Sequence, residues 1–125
     1  MSRGPVPDDV RRFVLSQVPS VPVAEAVLLL RRSGEAMSTQ AVARQLYIAD
    51  RAAHEVLRQA EAAGALQREG ESYRFHPSDE SLAEAWDRFA DCYATHLIGV
   101  TQLIHGSSPK SAQLFAEAFK LRRKP

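Results

Sequence analysis

Two amphipathic helical runs separated by a tight break, a pair of short segments around a glycine loop directly after them, and a long apolar stripe beyond: these predict a mainly α protein. At its centre the layout is that of a winged helix-turn-helix with a two-stranded wing, flanked by N- and C-terminal helices.

The elements follow in chain order. Asp8 caps a short helix over residues 8–18, with Asp8 and Asp9 at the positive end of its dipole and Val10, Phe13, Val14 and Val18 on one face. Pro19 and Ser20 interrupt it. A second helix runs from about Pro22, a good first-turn residue, through Val23, Val27 and Leu30, and Leu28 and Leu29 widen its apolar face. Arg31 and Arg32 sit at its C-terminal end and Gly34 stops it. Ser38 is a hydroxyl N-cap for a third helix, whose apolar face is Val42, Ala43 and Leu46. After the break at Tyr47 to Asp50, Asp50 is the expected cap of a fourth helix with Ala53, Val56, Leu57 and Ala60 inward, and Gly64 lies just past its end. Ala65 to Arg68 and Ser72 to Phe75 then flank Glu69, Gly70 and Glu71 as a hairpin.

The last third reads as one long helix capped by Ser78, carrying Leu82, Trp86, Phe89, Tyr93, Leu97, Val100 and Ile104 at spacings of three and four. From Cys92 onward its other faces lose their charges as well, and a helix apolar all round has to be buried all round. A chain of 125 residues does not readily surround such a helix alone, so a partner subunit is expected to cover it. Gly106 ends the helix, and Ser108 and Pro109 open another with Ala112, Phe115, Ala116 and Phe119 on its apolar face. The expected organisation is a single domain, 1–125, with a winged helix-turn-helix core over 20–76 and a dimerisation layer from 8–18 and 78–121. Its contacts are Leu82, Trp86, Phe89, Tyr93, Leu97, Val100, Ile104, Phe115 and Phe119.

The central motif resembles the MarR-type winged-helix transcriptional regulators. Such proteins show a Thr or Ser, a small apolar step and a closing Leu in the first helix, here Ser38, Val42, Ala43 and Leu46. Their second helix ends in an acid, two residues, a Gly and a hydrophobic pair, matched by Glu61, Ala62, Ala63, Gly64, Ala65 and Leu66. The resemblance covers roughly a third of the chain, and winged helices also serve as protein-docking modules. It implies a homodimer built from the helices before and after the winged helix, with the helix over about 50–63 in the major groove and the hairpin near Gly70 on the adjacent backbone. The DNA contacts it implies are Ser38, Arg44, Arg51, His54, Glu55, Arg58, Arg68 and Arg74.

Where DNA-binding relatives carry Thr, Val, Ser and Arg in mid-helix, this chain has Ala52, Ala53, His54 and Glu55, and the wing tip carries Glu69 and Glu71. DNA presents one negative charge per about 1.7 Å of axis, so carboxylates at the contact surface oppose binding. Glutamate accepts from cytosine N4, which leaves a base-reading role open to Glu55. Between Ser38 and Phe75 five arginines face five acids, and the whole chain is only +1 at neutral pH, short of the strongly basic footprint common among nucleic-acid binders. Arg51 and Arg58 nevertheless share a helical face, and Arg44 sits late in the preceding helix within reach of a phosphate. The expected function is a DNA-binding transcriptional regulator acting as a homodimer; the alternatives are a winged helix that docks on protein, or a ligand- or metal-responsive sensor.

Other chemistries find little footing. There is no glycine-rich phosphate loop, no GxSxG turn and no HExxH pair, so no enzyme is expected. Cys92 and His96 stand four apart with His105 further on, and sensors in related winged-helix families bind metal on a dimer helix, but two ligands fall short of the usual three or four. A buried thiol and a hydrogen-bonded histidine are expected there, with no metal or other cofactor. Trp86 and Tyr93 are core residues that also suit the wall of a small-molecule effector pocket. A lone cysteine, no apolar leader after Met1, and an uncharged stretch from Cys92 to Ile104 that is shorter than the roughly 20 apolar residues a membrane span needs point to a cytoplasmic protein without a membrane partner.

Overall fold

A computed structural model describes residues 6–107 as a mainly helical chain with a small three-stranded antiparallel sheet. The order is α1 (Asp8–Gln17), α2 (Val21–Ser33), β1 (Met37–Ser38), α3 (Thr39–Leu46), α4 (Asp50–Ala62), β2 (Leu66–Glu69), β3 (Ser72–Phe75), α5 (Glu80–Thr95) and α6 (Leu97–Ser107). The expected C-terminal helix, with Phe115 and Phe119, lies outside the described residues.

Capping explains most of the boundaries. Ser20 Oγ accepts from Val23 N at 3.3 Å and starts α2, with Pro22 in its first turn, and Ser38 Oγ accepts from Ala41 N at 3.1 Å and starts α3. At three starts the expected cap is displaced by a residue. Pro7 precedes α1, Ala49 precedes α4 without a side-chain cap, and Asp79 rather than Ser78 starts α5, its Oδ1 accepting from Leu82 N at 2.8 Å. Asp8 and Asp50 are instead first-turn acids, where the helix dipole still favours them.

The long helix expected from Ser78 to Ile104 is two helices. His96, at φ −129° and ψ 47°, leaves the helical conformation; its N–H still donates to Cys92 O at 2.7 Å while its carbonyl accepts from Val100 N at 2.9 Å, so one residue closes α5 and opens α6. Thr95 just before it turns its hydroxyl back to Asp91 O at 3.1 Å, a bond that bends helices. The bend folds α6 back on α1, α5 and α2 and buries Val100 and Ile104 completely. Leu97 and Ile98, in the first turn of α6, stay 50% and 71% exposed. The stripe is therefore covered for the most part by its own chain, and the last helix is not apolar burial all round.

One core joins both parts of the chain. Phe13, Trp86 and Phe89 meet edge-on or tilted, with Phe13 to Trp86 at 4.9 Å and Trp86 to Phe89 at 5.3 Å between centroids, and Tyr93 stacks on Phe89 at 5.5 Å. Such pairs add about 0.5–1.5 kcal/mol each beyond the area they bury. Tyr93 also donates its hydroxyl to the Glu25 carboxylate, tying α5 to α2; burial first, and then this bond, push its pKa well above the usual tyrosine value. Leu30, Val27, Leu57 and Val42 continue the core beneath α3 and α4. Among the described residues no single helix is long and apolar enough to cross a membrane.

The sheet has the order β1-β3-β2. Beta strands β2 and β3 form the expected hairpin, with Leu66 opposite Phe75 and Glu69 opposite Ser72, while Gly70 takes the φ of +63° that its tight turn requires. Strand β1 was not evident from the sequence: Met37 pairs with Tyr73 and Ser38 with Ser72, fastening the start of α3 to the hairpin. Gly64, at φ +84°, ends α4 where a Cβ would come within 2.9 Å of Ser78 Oγ. The dihedral favours glycine, and a Cβ there would also push the Ser78 and Leu82 side chains aside.

Candidate nucleic-acid interface

Helix α4 buries Ala53, Val56, Leu57 and Ala60, which leaves the face bearing Arg51, Glu55 and Arg58 outward and His54 beside it. Because β1 pins the start of α3 to β3, the hairpin lies alongside the first half of α4. Between them opens a groove of about 430 Å³ lined by Thr39 and Gln40 of α3, Asp50, Arg51 and His54 of α4, and Arg68, Glu71 and Tyr73 of the hairpin. Residues from three separate elements thus share one concave surface. Its cations are Arg51 and Arg68, with His54 adding a ring that carries both donor and acceptor nitrogens.

The alternation of the hairpin decides which arginine joins this surface. Arg68 lies opposite Tyr73 and shares its groove-lining face, whereas Arg74 lies opposite Gln67 on the other face, where its Nε meets Glu69 Oε2 at 2.8 Å. Arg68 is braced by its own turn, Nε donating to Gly70 O at 3.0 Å. Of the two wing arginines expected to contact DNA, only Arg68 is brought together with α4.

Ion pairing divides the rest. Arg58 reaches Glu55 within the helix at 3.2 Å, and both are more than half exposed, so the pair holds its partners weakly. Arg44 and Arg51 are exposed and make no ion pair among the described residues. Ser38 spends its hydroxyl on the α3 cap and is half-buried, a structural post beside the groove. Thr39, Gln40 and Tyr73 were missed by sequence reasoning; the first two follow directly on the Ser38 cap, but the third is apolar in its spacing and is drawn in by β-pairing.

The residues of the expected dimer layer are dispersed. Trp86, Phe89, Val100 and Ile104 are buried inside the chain's own core, Leu82 and Tyr93 are partly buried, and Leu97 is half exposed. Cys92 and His96 line a separate shallow cavity of about 370 Å³ with Asp9, Arg88, Asp91 and Thr95. Burial, and secondarily the charge of Asp9, push the Cys92 thiol up, which keeps it protonated and unsuited to nucleophilic work. His96 Nδ1 lies 2.8 Å from Thr95 Oγ1, and among the described residues no group of three or more His, Cys, Asp or Glu side chains is placed to hold a metal ion.

No family model matches this chain, and comparison with curated proteins and with solved structures finds no match.

Proposed function

We propose that this protein is a DNA-binding transcriptional regulator of winged-helix type, acting as a homodimer with α4 in the major groove and the β2–β3 hairpin beside it. The observation that carries the reading is the shared groove: a helix with a bare outward face, the start of the helix before it, and a hairpin all contribute to one surface with Arg51, His54 and Arg68 upon it. Arg44 and Arg51, which make no ion pair among the described residues, flank the turn between α3 and α4, where a helix-turn-helix meets the phosphate backbone.

The acidic wing makes a signed test. Glu71 lines the groove, and Glu69 neutralises Arg74 on the far face of the hairpin. A carboxylate about 10 Å from a phosphate in water costs a few tenths of a kcal/mol, so Glu69→Gln with Glu71→Gln is expected to tighten nonspecific duplex binding by about threefold to tenfold at low salt. Fluorescence anisotropy checks this. Unchanged affinity places the hairpin away from DNA.

For the dimer, Leu97 and Ile98 supply an exposed apolar pair on the layer formed by α1, α5 and α6. Ile98→Glu is expected to convert a micromolar dimer into a folded monomer by sedimentation, with its thermal transition retained. A wild type that sediments as a monomer at these concentrations ends the dimer proposal.

A second reading, a winged helix that docks on protein, is favoured by one observation. Arg58 and Arg74 are each paired with a glutamate, which halves the cations offered to a polyanion from α4 and the hairpin.

A further inference from the structure

Helices α3 and α4 end in the same hydrogen-bonded motif with different residues at its critical position. After α4, Gly64 N donates to Glu61 O at 2.9 Å and Ala65 N to Ala60 O at 3.1 Å, with Gly64 left-handed at φ +84°. After α3, Tyr47 N donates to Arg44 O at 3.4 Å and Ile48 N to Ala43 O at 3.0 Å, with Tyr47 left-handed at φ +58° and ψ 45°. Tyr47 is the only non-glycine residue at positive φ among the described residues. A bulky side chain is disfavoured there, and glycine is the usual solution.

Nothing within the described chain compensates for that choice. Tyr47 is 94% exposed, and its ring and hydroxyl make no ring contact or hydrogen bond with any described residue. It borders an open cavity that Arg44, Gln45 and Asp50 share with Ala41, Ala43 and Ile48. Arg44 and Gln45 precede Tyr47, Arg51 follows in the first turn of α4, and neither arginine makes an ion pair among the described residues. An aromatic anchor for a protein partner works as a rule from a well-packed site, whereas Tyr47 stands clear of its neighbours at 94% exposure. An exposed tyrosine hydroxyl on the turn that follows Arg44 and precedes Arg51 suits the backbone of a nucleic acid, to which tyrosine commonly donates.

We propose that Tyr47 is a DNA-backbone contact, its hydroxyl donating to a phosphodiester oxygen at the edge of the surface that Arg44 and Arg51 hold, and that the left-handed turn is kept at a cost in stability to present it. This rests on the DNA-binding reading above. The strain is intrinsic to the fold and the contact is uncharged, so the two parts of the proposal have separate readouts.

The test measures thermal stability and duplex affinity, from low to physiological salt, for wild type, Tyr47→Gly and Tyr47→Phe, with a duplex from the region upstream of the protein's own gene. Tyr47→Gly is expected to melt a few degrees higher. Both variants are expected to bind duplex about threefold to tenfold more weakly, with the salt slope of the wild type unchanged; Arg44→Ala lowers that slope by about 1. If wild type binds with a clear salt dependence and both tyrosine variants bind as tightly as it does, this inference is overturned and the DNA-binding reading stands. Loss of a protein partner at wild-type DNA affinity overturns it equally. A wild type with no salt-dependent binding removes the reading and the inference together.

Discussion

Val100→Glu unfolds the protein and does not merely split an assembly. Val100 is fully buried on α6, in the same cluster as Val10, Phe13 and Phe89, and no cation lies in that cluster to pair with a carboxylate. An unpaired buried carboxylate costs several kcal/mol after relaxation, against a total stability of about 5–15 kcal/mol for a domain. The expected result in circular dichroism is loss of the cooperative thermal transition, or a melting temperature lower by more than about 15 °C. Ile98→Glu, two residues earlier and on the exposed side of the same helix, is expected to keep that transition. A Val100→Glu protein that melts like wild type would mean that α6 does not fold back against α1.

The double variant Arg44→Ala, Arg51→Ala is expected to lose DNA and keep its fold. Both side chains are exposed and make no ion pair among the described residues, so their removal should leave the melting temperature within a few degrees of wild type. A charge-assisted hydrogen bond contributes about 1.5–3 kcal/mol, so two lost contacts weaken duplex binding by about a hundredfold or more. The salt slope should fall by about 2 at the same time. An affinity that survives the double change would shift the contact surface away from the α3–α4 turn and toward protein docking.

How far the sequence discloses this molecule depends on the range of the interactions involved. The stripes of α2, α3 and α4, the Ser38 cap, Gly64 beyond α4 and the hairpin around Gly70 are all local, set within a few residues, and are legible in spacing and turn chemistry. Caps with two adjacent candidates are less so: Ser78 and Asp79 compete for one helix start, and the carboxylate beside Leu82 N takes it. The break at His96 carries neither proline nor glycine, and comes from the gain of laying Val100 and Ile104 against α1 together with the Thr95 back-bond, one tertiary and one too weak to read alone. Strand β1 is two residues long, below any periodic signal, and exists because β3 offers an edge. For the site, the candidate residues of α4 were legible from helical phase. Which arginines are already paired was not, because Glu69 engages Arg74 across a hairpin and Glu55 engages Arg58 within a helix crowded with equivalent options. Tyr47 was hidden for another reason: its residue type argues against the left-handed turn it occupies.

The most direct test of DNA binding is a salt titration of the unmodified protein against duplex DNA, from about 50 mM to about 200 mM monovalent salt. Arg44, Arg51 and Arg68 as phosphate neighbours, with Arg58 free to leave its exposed glutamate, predict a log–log slope of about −2 to −4 for each protomer. Affinity independent of salt, or no binding at the lowest salt, would contradict a DNA-binding role for this surface.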